Sequence, residues 1–167
     1  MNRSPMLLTI LLTSLFFSVG TAKAEKLPAV LGWVEEVAVM STGLSLQAKI
    51  DTGADNSSIN ASGINYFIRE GARWVHFVIN NRKGDKIVME RPLVRLAQIK
   101  RKEGGYIERP VVNLNLCLAG QKVNTEVNLA DRNHFKYLML VGRSLMTKRF
   151  LVDPNRMYIT QPTCTTV

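Results

Sequence analysis

Between Leu44 and Ile50 the chain alternates without a break. Leu44, Leu46, Ala48 and Ile50 are apolar, and Ser45, Gln47 and Lys49 between them are polar. A period of two is that of a β-strand with one face in a core and the other toward water. The alternation runs straight into Asp51-Thr52-Gly53. A carboxylate on the turn that ends such a strand sits at the rim of the sheet, facing out of the core, where it can meet water and a substrate. As a bare triplet, Asp-Thr-Gly would arise by chance in roughly one chain in fifty of this length. Asp and Gly also close ordinary loops. Asp51 lies in the only Asp-Ser/Thr-Gly of the chain, so a water-activating pair of carboxylates would be half supplied by one copy.

Similar short runs recur along the chain. Trp33 to Val39 precedes the alternating run across a Met40-Ser41-Thr42-Gly43 turn. Trp74 to Ile79 is β-prone, and Asn80-Asn81-Arg82-Lys83-Gly84-Asp85 reads as a hairpin loop returning through Lys86 to Met89. Pro92 lacks an amide proton, which confines its strand to an edge or marks a break. Leu93 to Ile99 and Tyr106 to Leu116 flank a second hairpin at Lys100-Arg101-Lys102-Glu103-Gly104-Gly105. Val123, Thr125, Val127 and Leu129 alternate with Asn124, Glu126 and Asn128, and Tyr137 to Val141 is an apolar run ending at Gly142. Helix-forming composition is best over Arg143 to Phe150, with a weaker case at Ile64 to Glu70. Leu151-Val152 starts a last strand, Asp153-Pro154-Asn155 turns it and Met157 to Thr160 returns. Many short strands with turns at this spacing make a mainly β chain, a small barrel or sandwich.

Arg3, the apolar run from Met6 to Val19 and Ala22-Lys23-Ala24 are the three parts of an export signal over residues 1–24. The run is shorter than the roughly 20 residues of a membrane span. The expected product is an exported protein, periplasmic or secreted, with no stable membrane span after cleavage; an uncleaved anchor is the alternative. Residues 25–167 then form one domain with a real core, too short for two lobes that each carry a catalytic half.

The chain carries a net charge of +9. Much of the excess falls on Arg82, Lys83, Lys86, Arg91, Arg95, Lys100, Arg101, Lys102 and Arg109. The plain reading is a set of solvated hairpin faces; the sharper one is a rim that attracts acidic substrates or an anionic surface. No aromatics interleave with these cations as a single-strand surface requires, so nucleic acid is not an expected partner. Cys117 and Cys164 could pair in an oxidising compartment and tie down the tail, or remain as two free thiols. The only histidines are His76 and His134, without metal-ligand spacing, and there is no Gly-rich Lys-Ser/Thr loop for ATP. No metal or other cofactor is expected.

Two segments together resemble a known family. Ile50-Asp51-Thr52-Gly53-Ala54-Asp55 is similar to the active-site segment of retropepsins, the dimeric aspartic peptidases of retroviruses. Leu140-Val141-Gly142-Arg143-Ser144-Leu145-Met146-Thr147 resembles their second motif, two apolar residues, Gly-Arg and a short helix. A bacterial group, the RimB type once labelled ATP-dependent zinc proteases, is closer still. Gly32-Trp33-Val34-Glu35, Ala48 to Ser58, Glu108-Arg109-Pro110-Val111-Val112, Asn128-Leu129-Ala130-Asp131-Arg132, Val141-Gly142-Arg143 and Val152-Asp153-Pro154 all resemble its motifs, in order.

The resemblance implies a closed acid-protease barrel with one short C-terminal helix and one lobe per chain. It implies an aspartic-type endopeptidase with Asp51 catalytic and its second carboxylate from a symmetry mate in a homodimer. Thr52 would bond across the dimer axis, Gly53 would let backbone approach the carboxylates, and Ala54 would keep the floor small. Asp55 would pair with Arg143, beside Gly142, to brace the loop from behind. A flap is expected at Lys100, Arg101, Lys102, Gly104, Gly105 and Tyr106, with Asn80 to Asp85 the competing hairpin; its charge would favour acidic peptides. The alternative is a non-catalytic envelope module that keeps the fold for binding or regulation.

Overall fold

The computed structural model of the chain describes residues 27–101 and 104–164. The export-signal reading of residues 1–24, and Lys102 of the expected flap, lie outside them. The described chain is mainly β: β1 (Ala29–Gly32), β2 (Val34–Val39), β3 (Leu44–Ile50), β4 (Ser57–Arg69), β5 (Ala72–Asn80), β6 (Lys86–Pro92), β7 (Arg95–Lys100), β8 (Tyr106–Leu118), β9 (Gln121–Ala130), β10 (Met139–Val141), α1 (Arg143–Met146) and β11 (Phe150–Asp153).

Six strands close on themselves in the order β10-β3-β2-β8-β9-β4, with β4 returning to β10. The alternation in β3 does what its period requires: Leu44, Leu46, Ala48 and Ile50 are all buried. Val37, Ile59, Val112, Leu114, Val127, Leu129 and Met139 fill the rest of the core, and Leu145 and Met146 of α1 pack against it. Each fully buried branched side chain of this kind contributes roughly 1.5–3 kcal/mol.

Two long strands each run on past the barrel to pair with a further strand. Val111 to Leu118 of β8 pairs with β9, while Tyr106 to Val111 pairs with β7. Ser57 to Asn60 of β4 stays in the barrel beside β9, and Ala61 to Arg69 leaves it to pair with β5. The departure is a bulge between Ser62 and Asn65, where Gly63 takes φ 60°, a conformation that costs glycine little.

The weak helix expected over Ile64 to Glu70 is therefore strand, because each residue from Tyr66 to Arg69 finds a partner on β5. The C-terminal helix is also shorter than its composition suggests, stopping at Met146. Lys148 turns with φ 64°, which sends Phe150 to Asp153 alongside β1 as a parallel pair. Pro92 ends β6, the outermost strand of its sheet.

Met157 to Thr160 forms no return strand. Its backbone is held by a buried acid instead. Glu35 is fully enclosed and accepts from the Gly32 amide at 2.6 Å, the Ile159 amide at 3.2 Å, the Thr160 amide at 3.1 Å and the Thr160 hydroxyl at 2.8 Å. A carboxylate with several donors is a strong, charge-assisted joint. Beyond it Cys164 is bonded to Cys117 on β8, a separation of 47 residues. Closing a loop of that size restricts the unfolded chain by about 2–4 kcal/mol. Cys117→Ser is expected to lower stability by that amount under oxidising conditions and by almost nothing in reductant. Equal denaturation midpoints in oxidising buffer would show that the bond is absent in solution.

Candidate active site

Asp51 stands at the end of β3, where parallel pairing with β10 is extended by one bond, the Asp51 amide to the Val141 carbonyl at 2.9 Å. The chain then turns back on itself. The Gly53 amide donates to Asp51 Oδ1 at 3.0 Å, and the Ala54 amide to the Asp51 carbonyl at 3.3 Å. Thr52 and Gly53 are exposed, and the Asp51 side chain is 24% exposed.

Two residues back on the same strand face, Lys49 Nζ lies 3.2 Å from Asp51 Oδ2. Burial pushes the Asp51 carboxyl up, but the Lys49 bond and charge and the Gly53 amide outweigh it, and the group is held below the usual carboxylate range. These partners favour the ionised form.

The loop is backed by the residues that follow β10. Gly142 packs against Asn56 so closely that a Cβ there would lie 2.6–3.0 Å from Asn56 backbone atoms. The Gly142 amide donates to buried Ser57 Oγ at 3.1 Å. The Arg143 and Ser144 amides donate to the Ala54 and Asp55 carbonyls at 2.9 and 3.0 Å. The Arg143 guanidinium reaches the Thr52 carbonyl at 2.8 Å and pairs with the Asp55 carboxylate. The ion pair is exposed and by itself worth under about 1 kcal/mol, so the backbone bonds hold the two segments together.

The structure also gives contacts to residues that the sequence presented only within motifs or charge runs. Arg132 is 7% exposed. It bonds Ser58 Oγ at 2.8 Å and the Tyr137 carbonyl at 3.3 Å, and lies over the Phe135 ring. Burial lowers its pKa, the Arg109 charge lowers it further, and the Asp51 carboxylate opposes both. Arg109, read from sequence as part of a solvated basic face, is half-buried and is itself lowered by burial. For Lys49 a signal existed: the same period of two that faces Ile50 inward puts Lys49 and Asp51 on one side. Arg132 stood in sequence only as the end of the Asn128–Arg132 run, with no sign of its contacts, because its neighbours come from β4 and the segment before β10.

The two hairpins differ in how they are held. The turn after β7 is closed by bonds between Arg101 and Gly105 at 3.0 Å and Gly104 and Arg101 at 3.3 Å. Gly104 and Gly105 take φ 93° and 76°, and Tyr106 is exposed. The Asn80–Asp85 loop is anchored by Asn81, whose side chain bonds the Lys83 and Asp85 amides, the Asp85 carboxylate and the Ser45 carbonyl of β3. His76 lies 3.6 Å from Glu90 and His134 is exposed in a loop. Among the described residues no three His, Cys, Asp or Glu side chains gather as a metal-binding set.

Residues 30–163 match the RimB-like family, described as the retropepsin-like aspartic endopeptidase RimB. The chain belongs to this family. A protein of unknown function from Legionella pneumophila, known from its crystal structure, superposes with a TM-score of 0.69 at 31% identity, covering 80% of this chain and 98% of that one. A probable alpha-L-glutamate ligase of Shewanella pealeana is 33% identical over 133 residues, 77% of this chain and 29% of the ligase. One from Parasynechococcus marenigrum is 32% identical over 129 residues, 75% of this chain and 28% of the ligase. The chain thus spans less than a third of the length of these curated relatives.

Two outcomes follow from this geometry. Gly142→Ala forces Asn56 backbone to move and is expected to cost about 1–3 kcal/mol, read as a lower thermal midpoint; an unchanged midpoint would mean the contact is looser than described. Lys49→Met removes a donor and a positive charge from Asp51, so its carboxyl is expected to titrate at higher pH in a carbon-detected NMR titration. The stabilisation from this pair is present above the ordinary carboxylate range and is lost as pH falls through the lowered Asp51 pKa. Identical Asp51 titrations in the two chains would show that the pair does not form in solution.

Proposed function

We propose that the protein is an exported, homodimeric aspartic endopeptidase, with Asp51 of each copy at the two-fold axis. The observation that carries this reading is a single exposed Asp-Thr-Gly loop, its carboxylate facing out and its back braced by Gly142, Arg143 and Asp55. One such loop supplies one carboxylate, and the aspartic mechanism needs two. A shallow groove lined by Thr52, Met146, Phe150 and Leu151 opens beside the loop. Leu151 is 57% exposed, and a second copy would cover it. Thr52, Gly53 and Ala54 would then meet their counterparts.

In that pair like charges keep one carboxyl protonated while the other stays ionised. The ionised group takes a proton from a water between them, and the resulting hydroxide adds to the scissile carbonyl carbon. The protonated group gives its proton to the carbonyl oxygen. Proton return to the amide nitrogen lets the C–N bond break, leaving an acid and an amine. The Lys100–Tyr106 hairpin is the better flap, since its turn is built on a Gly pair and the competing loop is anchored by Asn81.

The Cys117–Cys164 bond supports an oxidising compartment. The presence of a similar segment inside probable alpha-L-glutamate ligases supports acidic peptides as substrates. Digestion of an acidic peptide library at acid to neutral pH is expected to yield cleavage by wild type and a loss of about 10²–10⁴-fold in Asp51→Asn, the range of positioned acid–base catalysis. Sedimentation should find the active species as a dimer. Equal cleavage by both chains sinks the assignment, an active monomer sinks the shared site, and cleavage by neither favours a binding module.

A further inference from the structure

The Asn80–Asp85 loop is anchored at both sides. Buried Asn81 donates to the Ser45 carbonyl of β3 at 3.4 Å, and Arg82 donates from Nη2 to the Phe135 carbonyl before β10. Held in this way, the loop roofs a cleft of about 290 Å³ on the outer wall of the barrel. Ser45 and Gln47, which alternate outward on β3, line it, with buried Leu138 beside them. Ligand sites run from roughly 300 to 1,000 Å³, so this cleft has the size for a small molecule. Gln47 stands four residues before Asp51 on β3, about 13 Å at the rise of a strand. The cleft is therefore apart from the Asp51 loop.

Charge is sorted across the cleft. β3 lies between β10 and β2. Glu36 comes from the β2 side, opposite Gln47. Lys136 comes from the β10 side, and Arg82 and Lys83 from the loop. Among the described residues none of these four charges is in an ion pair with another side chain. Asp85, the second acid at the cleft, is already taken by the Asn81 side-chain amide at 2.8 Å. Lys136 Nζ lies 5.4 Å from the centre of the Tyr137 ring, which leaves its charge without an anion. Glu36 and the three cations thus line one small space without meeting. The backbones of β2 and β10 are two strand spacings apart, about 10 Å, and the gap between their side chains is shorter than that. A simple anion would satisfy the cations and be repelled by Glu36, and a simple cation would meet the reverse. A molecule with a positive and a negative end satisfies both sides.

We propose that this cleft is a second binding site, for a small zwitterion of the amino-acid or dipeptide class. Glu36 takes the ammonium, and Arg82, Lys83 and Lys136 take the carboxylate. Both contacts are charge-assisted hydrogen bonds, the stronger kind. Gln47 and Ser45 offer neutral donors and acceptors to whatever lies between the two ends, and Leu138 offers an apolar contact. Because Asn81 and Arg82 already fix the loop, little ordering is left for binding to supply. The site stands on its own residues and does not rest on the peptidase reading.

The test titrates alanine, Ala-Ala, N-acetyl-Ala-Ala and Ala-Ala-amide by calorimetry into the full chain carrying Asp51→Asn, so that no peptide is cut. A free zwitterion is expected to bind at least about tenfold more tightly than either blocked peptide, the difference one charge-assisted contact supplies. Tighter binding of alanine or of Ala-Ala tells which member of the class fits, and either result keeps the proposal. Glu36→Gln should bring Ala-Ala and its N-acetyl form to within about threefold and leave the preference over the amide. Lys83→Met together with Lys136→Met should do the converse. All three positions lie outside the core, so thermal midpoints should stay almost unchanged and a lost preference reports the site rather than the fold. Binding of none of the four, equal affinity for free and blocked peptides, or preferences that survive these substitutions overturn the inference. Selective binding by a wild type that cleaves no peptide would keep it and sink the peptidase reading.

Discussion

The joint between the Asp51 loop and the segment after β10 is the constraint on which the site depends. Asp51 donates its amide to Val141, Gly142 lies flat against Asn56, and the amides of Arg143 and Ser144 bond the carbonyls of Ala54 and Asp55. Each contact uses main chain, so the carboxylate is placed by backbone geometry rather than by a side-chain rotamer. The missing Cβ at Gly142 permits the approach. Rigid placement of this kind is what a water-activating carboxylate requires. It also leaves the outward surface of Thr52 and Gly53 free to meet another copy.

Around this joint the barrel separates its two faces by chemistry. The core side is built from Ala48, Met139, Ile59 and Leu129; the other carries Lys49, Ser58, Asn60, Asn128 and Arg109. Buried polar groups are usually spent in a satisfied network. Here Ser57, Asn60 and most of Arg132 are, while Asn128 Oδ1 and the charge of Arg132 are left over. That remainder lies on the face that Lys49, Ser58 and Asn128 share by register. The tail is fastened separately by Glu35 and by Cys117, at the β1–β2 end and on β8.

Much of the fold was legible because burial on one face stamps a period of two on a strand. The run Leu44 to Ile50, the hairpins around Asn80–Asp85 and Lys100–Gly105, and the alternation of Val123 to Leu129 all became strands close to where the pattern put them. The failures have physical causes too. Ile64 to Glu70 lacks alternation because that part of β4 leaves the barrel, where only Ile64 and Phe67 are partly covered and the rest is exposed, so the core selects little of its pattern. Arg143 to Phe150 has helical composition, yet the chain turns at Lys148 so that β11 can reach β1. Met157 to Thr160 bends instead of pairing as a strand, with Tyr158 at φ 53°, and the amides of Ile159 and Thr160 are met by a single carboxylate, Glu35. Sequence showed a Glu in a hydrophobic strand and no sign of what it held.

By itself the sequence determined the strand that ends in Asp51, the isolation of its carboxylate within one chain, and the pairing of that loop with a Gly-Arg segment downstream. Those are local: a period, a turn and a motif order. The tertiary structure alone decided that Lys49 grips the catalytic candidate, that Arg132 from a distant segment feels both the Asp51 carboxylate and the Arg109 charge, and that Asn128 on a third strand is buried with its Oδ1 unpartnered. Closing the barrel from six strands sets residues far apart in sequence into one row, and charge balance across that row exists only once the strands are in register.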